Sequence, residues 1–173
     1  LYQGKLIAEN PYAYGNAWFV NELKTVATPD EAILEIANID PKTTAVVNSE
    51  FDEVVTSKSF AKDSTATISM MSYEPNHLIY TSKTAKEQLA VFSEVYYEDG
   101  WNAYIDGKKV PHFRVNYILR GLIVPAGEAT IEFKFEPASY SILNAISSIA
   151  FAIMMILLGF ILYKEIKNKK VNA

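Results

Sequence analysis

The chain has 173 residues and a formal charge of −4, with no cysteine and two histidines, His77 and His112. That excludes cysteine-built zinc knuckles, disulfide frameworks and thiol nucleophiles, and leaves too few ligands for a multi-histidine metal centre, so no cofactor is called for. The charge is also uneven: residues 164–170 carry four Lys and one Glu, leaving −7 on residues 1–163, and so acidic a body does not suit a nucleic-acid partner.

In chain order, residues 16–26 are rich in β-branched and aromatic types and predict a strand. Thr28-Pro29-Asp30-Glu31 follows, with Thr28 as N-cap, Pro29 at the first helical position and Glu31 completing a capping box. The spacing predicts a short amphipathic helix over 29–38, with Ile33, Leu34, Ile36 and Ala37 on its apolar face. Ala45-Val46-Val47 reads as a buried strand.

From Thr65 the pattern is nearly all β. Strands are expected at 66–73, 77–82, 89–97, 101–105, 112–115, 119–124 and 130–135. Their starts recur every ~7–12 residues, the spacing of an all-β sandwich or barrel. Asp106-Gly107 is a hairpin signal, because a type I′ turn needs positive φ at both central residues. In 130–135, Ile131, Phe133 and Phe135 should face inward while Glu132 and Lys134 face water. The expected body is an antiparallel β-sandwich, jelly-roll-like, with one short helix.

The other end of the chain has a different character. Residues 137–163 hold no charged side chain. As a helix, 142–162 would span about 31 Å, near the hydrocarbon thickness of a bilayer. Tyr140 and Tyr163 bracket the run as interfacial anchors do, and the lysines beyond mark the cytoplasmic side. The organisation expected is an extracytoplasmic body over 1–137, a transmembrane helix over 138–163 and a cytoplasmic tail over 164–173. A body placed outside needs an earlier signal or span. The chain opens with Leu1 and no secretory signal, so it is expected to be the C-terminal piece of a longer protein.

Few residues suggest chemistry. Trp101, Tyr104 and Tyr117 are candidates for stacking on a sugar face, against the plainer reading that Trp101 packs in the core. Arg114 and Arg120, the two arginines, flank Asn116-Tyr117 and are candidates for an anion or lipid-phosphate contact. Their plainer reading is pairing with the acidic turn at Glu98 and Asp99. Asp52, Glu53, Glu94, Glu98, Asp99 and Asp106 show no spacing that singles out a hydrolytic pair. There is no Gly-x-Ser-x-Gly elbow and no phosphate-cradling glycine loop. No catalytic residue and no metal ligand is assigned.

The stretch from Tyr96 through Gly100-Trp101 to Asp106-Gly107-Lys108, with Val110-Pro111, Val115-Asn116, Leu119-Arg120-Gly121 and Val124-Pro125-Ala126-Gly127, resembles the YfhO family of bacterial membrane proteins. Residues 11–20 look like the family's opening strand, and Phe135-Glu136-Pro137 with Ser139-Tyr140 like its exit into the last span. One departure stands at Glu128-Ala129, where the family pattern leads one to expect a basic residue and a histidine.

The resemblance implies a many-spanning protein similar to glycosyltransferases that use polyprenyl-phosphate sugars, some linked to cell-wall polymers. It implies that the catalytic carboxylates lie in an early loop outside these residues. The chain would then be a non-catalytic accessory domain and last membrane span. Its partners would be the lipid bilayer, the remaining membrane helices, and a cell-envelope glycan or polyprenyl-phosphate sugar. The competing expectation is a single-span cell-surface binding or adhesion module; a permease subunit has less to support it.

Overall fold

The computed structural model describes residues 13–171. Two compact units divide the chain, one ending at Phe135 and the other beginning at Glu136. The first is β-rich. Its strands are β1 (Ala17–Val20), β2 (Glu22–Val26), β3 (Thr44–Asn48), β4 (Thr67–Glu74), β5 (His77–Thr84), β6 (Gln88–Val95), β7 (Trp101–Ile105), β8 (Lys108–Val110), β9 (Phe113–Val115), β10 (Leu119–Val124) and β11 (Gly127–Phe135). Among the described residues, one helix, α1 (Pro29–Ile36), and one 3-10 turn, Ser49–Phe51, complete it. The strands form two sheets, ordered β1-β6-β10-β9-β3-β2 and β4-β5-β11-β7-β8.

The mainly β, two-sheet expectation holds, with two corrections. The strand foreseen over 16–26 breaks at Asn21. Before the break the chain pairs with β6; after it, β2 pairs with β3, in parallel, so the sheet is not purely antiparallel. This break also bends the sheet. β1 and β2 are its opposite edges, which a flat six-stranded sheet would hold ~24 Å apart. Val20 and Val26's strand are joined through one residue, and Cα atoms two apart lie within ~7 Å. The sheet therefore rolls until its edges meet at Asn21. There Asn21 N–H donates to the Thr43 carbonyl at 2.8 Å, and Phe60 N–H donates to the Asn21 carbonyl at 2.7 Å.

Rolling gives the unit two cores. Inside the rolled sheet lie Val20, Leu23, Val47, Leu89, Val91 and Phe113, closed by Val55 and Phe60. Between the two sheets lie Leu78, Tyr80, Phe92, Leu122, Ile131 and Phe133. Phe92 meets the Tyr80 and Phe133 rings edge-on at 4.9 Å each, an arrangement favoured by ring quadrupoles. β6 belongs to both cores, with Ala90 and Phe92 facing one and Leu89 and Val91 the other. This is why Leu89-Ala90-Val91-Phe92 is continuously apolar instead of alternating. Gly121 on β10 is sterically required: a Cβ there would stand 2.8 Å from both Phe113 and Val115 side-chain carbons.

Thr28 caps α1 by accepting from Glu31 N–H at 3.2 Å, and the Glu31 carboxylate accepts from Ala27 N–H at 2.9 Å. The buried side of α1 differs from the expected one. Ala32 is buried, Ile36 half-buried, and Ile33 and Leu34 are exposed. The helix is only eight residues long, so the i, i+4 pair Ala32 and Ile36 suffices to seat it.

The second unit is α2 (Ala138–Val171). Its stretch Ile142–Lys164, 23 residues with mean hydropathy 2.6, is long and apolar enough to cross a membrane. Ser148 satisfies its hydroxyl within the helix by donating to the Asn144 carbonyl at 2.8 Å. The helix runs past the expected boundary at 163 into the basic tail.

Candidate functional site

The strand registers gather three connections at one end of the sandwich. Trp101 pairs with Phe135, and Glu74 closes a turn onto His77, which pairs with Lys134. Phe135 N–H donates to the Asn76 carbonyl, and Tyr96 N–H to the Ile118 carbonyl. The β4–β5 turn, the β6–β7 loop and the β9–β10 turn thus share the end at which β11 finishes, here called the exit end.

Arg120 lies just inside it. It is 2 % exposed. Its Nε donates to the Val95 carbonyl at 2.9 Å, and its guanidinium sits 4.2 Å from the Trp101 ring centre and 5.1 Å from that of Phe133. Burial lowers its pKa, opposed by the negative charge of Glu94 and by Tyr80 and Tyr73. The aromatic faces supply part of the stabilisation that water would otherwise give the cation. Its Nη1 and the Tyr80 hydroxyl are buried without a hydrogen-bond partner among the described residues. Burial, helped by Glu94, pushes the Tyr80 phenol up.

His112 completes the cluster, packed on Tyr96 at 5.3 Å and edge-on to Phe133 at 5.8 Å. Burial, with Arg120 and Lys109 adding repulsion, lowers its pKa to about 4. The imidazole is therefore neutral at neutral pH, and its Nε2 has no hydrogen-bond partner among the described residues.

Arg114 stands directly opposite Arg120 in the β9–β10 register but behaves differently, forming an ion pair with Glu50 at the 3-10 turn. Neither arginine engages Glu98 or Asp99 as the plainer sequence reading had it: one is held by Glu50, the other by a carbonyl and two rings. An anion approaching from solvent would meet a cation either already paired or buried.

The three aromatic candidates are not brought together. Trp101 is half-buried on the inner face, with Arg120 over its ring and Phe135 at 5.4 Å. Tyr104 pairs with Glu132 on the opposite, outer face, and Lys134 Nζ sits 4.9 Å from its ring centre. Tyr117 is exposed in the β9–β10 turn with φ of 70°, next to Asn116 at 47°. Asn116 anchors that turn: its Oδ1 accepts from Val46 N–H and its N–H donates to the Val46 carbonyl, both at 2.8 Å. Asp106 (φ 49°) and Gly107 (φ 76°) adopt the expected turn, and Asp106 Oδ1 accepts from Thr130 N–H at 2.9 Å.

Two features escaped the sequence reading. On the outer face His77 Nε2 lies 2.7 Å and Lys134 Nζ 3.0 Å from Glu132 Oε2. These contacts, the Lys134 hydrogen bond first, hold the Glu132 carboxyl below the usual range. The strict alternation of β11 pointed to Glu132 and Lys134 outside, but not to His77 beside them. The second feature is a shallow cleft of about 350 Å³ toward the other end of that face, lined by Thr67, Ser69, Thr81, Thr130, Lys83, Asp106 and Glu128. The hydroxyl alternation on β4 and β5 was its only signal. Among the described residues no three His, Asp or Glu side chains converge as a metal site requires.

A family model for the bacterial membrane protein YfhO matches residues 16–147, more than half of the chain. The chain belongs to the YfhO family. No curated protein and no solved structure matches it. The departure of this YfhO chain at Glu128-Ala129 has a structural counterpart. Glu128 pairs with Lys83 across the β5–β11 register at 2.7 Å, and Ala129 is buried in the core. That corner serves the fold here.

Proposed function

We propose that this chain is an extracytoplasmic accessory domain with a membrane span, not catalytic itself, in a YfhO-family membrane protein that supports glycosyl transfer from polyprenyl-phosphate sugars to cell-envelope polymers. The observation that carries the reading is the join of a folded sandwich, through Glu136 and Pro137 only, to a helix able to cross a membrane, in a family of membrane proteins. The four lysines after Tyr163 support a cytoplasmic C-terminus and a sandwich on the other side. For the acceptor glycan, the outer face offers hydroxyls that suit sugar hydroxyls, with Tyr104 as the neighbouring ring.

The 173-residue chain in nanodiscs is expected to show no transferase activity and weak binding of teichoic-acid or peptidoglycan fragments by calorimetry. Binding should fall with Tyr104→Ala and with Thr130→Val. Binding that survives both variants places the contact elsewhere, and transfer by this chain alone overturns the accessory role. For topology, Lys83→Cys should react with a membrane-impermeant thiol reagent in intact cells and Asn172→Cys should not; the reverse would invert the orientation. Genes whose upstream sequence lacks further hydrophobic segments would favour a single-span surface module instead.

A further inference from the structure

Of the exposed large apolar side chains of the sandwich, Ile33 and Leu34 lie on α1, Met71 in the middle of β4 and Tyr14 before β1, while the largest group gathers at one place: Tyr73, Val95, Tyr97, Tyr117 and Ile118, 40–65 % exposed, all sit on the strand ends and loops of the exit end. At the opposite end, around Lys83 and Glu128, the surface is hydroxyls and ion pairs. Tyr117 is held at its turn tip in a left-handed backbone that bulky residues seldom adopt. Tyr73 pairs with Leu78, so it extends the inner face of its sheet beyond the buried core.

Chain connectivity says what lies near this end. Only Glu136 and Pro137 separate β11 from α2, and the candidate span begins at Ile142. Three extended and four helical steps reach at most ~17 Å. The exit end is thus tethered close to the edge of the hydrocarbon. Tyrosines with an apolar body and a polar tip are the residues that prefer the headgroup zone.

We infer that the exit end is a membrane-docking surface, with Tyr73, Val95, Tyr97, Tyr117 and Ile118 resting in the headgroup layer of a neutral or zwitterionic phospholipid bilayer. The charge pattern selects that lipid class. Glu74, Glu98 and Asp99 are exposed at this end, whereas Arg120 is buried and Arg114 is paired with Glu50. Anionic headgroups would meet carboxylates, and attachment rests on aromatic and apolar contact. The inference needs the membrane anchor but not the glycosyl-transfer reading, so it stands or falls separately from the glycan titration above.

The test uses the full chain, which has no cysteine of its own, at one copy per phosphatidylcholine nanodisc. An environment-sensitive fluorophore is placed on Tyr97→Cys, Ile118→Cys, Asp99→Cys or Lys83→Cys, with lipids carrying spin-label quenchers near the headgroup. Emission at 97 and 118 should be blue-shifted and quenched at least about twofold more than at 83, as interfacial side chains are. Asp99 is an exposed polar loop position, so its variant reports proximity even should the apolar replacements disturb folding; it too should be quenched more than 83. Equal quenching at all four sites overturns the inference. So does a blue shift without lipid quenching, or one seen only with two copies per disc, since protein then covers the surface. Quenching that rises on adding phosphatidylglycerol overturns the neutral-lipid assignment.

Discussion

The two ends of the sandwich are built from the same strands and present opposite chemistry. At the exit end a buried cation, Arg120, lies beneath Trp101 while Tyr73, Tyr97 and Tyr117 are exposed. At the far end Lys83 and Glu128 pair in full view of solvent, among threonines and serines. A soluble domain would usually place its charges outside and its rings inside at both ends. At the exit end three tyrosine rings lie outside and one guanidinium inside. On the docking inferred above, the solvent of this domain changes along its length, and the difference between the ends is side-chain placement following that change. It also separates the roles of two cations: Arg120 near the exit end is buried and stabilised by ring faces, whereas Lys83 at the far end is hydrated and contributes little.

The largest effect that would sharpen this contrast is on stability. Phe133 is fully buried and touches Tyr80, Phe92, His112 and Arg120. Phe133→Ala should cost about 3–5 kcal/mol, from lost transfer energy and the cavity left behind. Lys83→Ala, at the other end, should leave the denaturation midpoint unchanged within error. Denaturant titration followed by tryptophan fluorescence measures both. A Lys83 variant as damaging as the Phe133 one would break the comparison, because the polar end would then be part of what holds the fold.

A second, smaller effect is pH. His112 has its pKa lowered to about 4 by burial and by its cationic neighbours, from 6.5. Between those values the unfolded chain binds a proton that the folded chain does not, so stability is full above pH 6.5 and is lost as pH falls toward 4. After discounting for the solvent that reaches this half-buried ring, the loss is on the order of 2 kcal/mol. His112→Phe should keep the ring contacts and flatten the profile in that window. Further loss at lower pH should remain in the variant, since it belongs to the carboxyls held below their ordinary range, Glu132, Glu128 and Asp63, which must then take up protons. A profile unchanged by the substitution would remove His112 from the exit-end cluster's electrostatics.

Much of the β framework was legible. From Thr65 onward, turn residues and period-2 alternation are local signals, and Asp106-Gly107 carries its own backbone requirement. What was not legible depends on distant partners. Nothing local to Asn21 says that β1 will pair with residues 89–92 and β2 with 44–48. The Val55 and Phe60 stretch, unread as structure, closes the inner core because the sheet rolls around it. The site follows the same rule. Trp101 was readable as a packed ring, but that Arg120 is the group over it is a matter of register between the two sheets. Ion pairing of Arg114 was readable in kind, while its partner, Glu50, lies 64 residues away in a segment with no pattern.

The smallest predicted effect bears most directly on what the exit end is for. The β9–β10 turn is Asn116-Tyr117-Ile118, and its first two residues have positive φ, a conformation in which Gly or Asn is the usual occupant. Tyr at φ 70° costs roughly 1–2 kcal/mol through the clash of its Cβ with the following carbonyl. Gly would avoid that cost, less about 0.5–1 kcal/mol for its greater freedom in the unfolded chain. Tyr117→Gly should therefore stabilise the domain slightly, by about 0.5 kcal/mol, while removing a ring from the surface inferred to meet lipid. Tyr117→Ala keeps the strain and loses the same ring, so it should not stabilise. In nanodiscs both variants should weaken lipid quenching of a probe at Asp99→Cys. A gain in stability with reduced quenching would show that the domain gives up stability to hold an aromatic ring at this tip. A Tyr117→Gly chain that is less stable would mean the ring packs on its own domain, and the two ends would then differ less than their surfaces suggest.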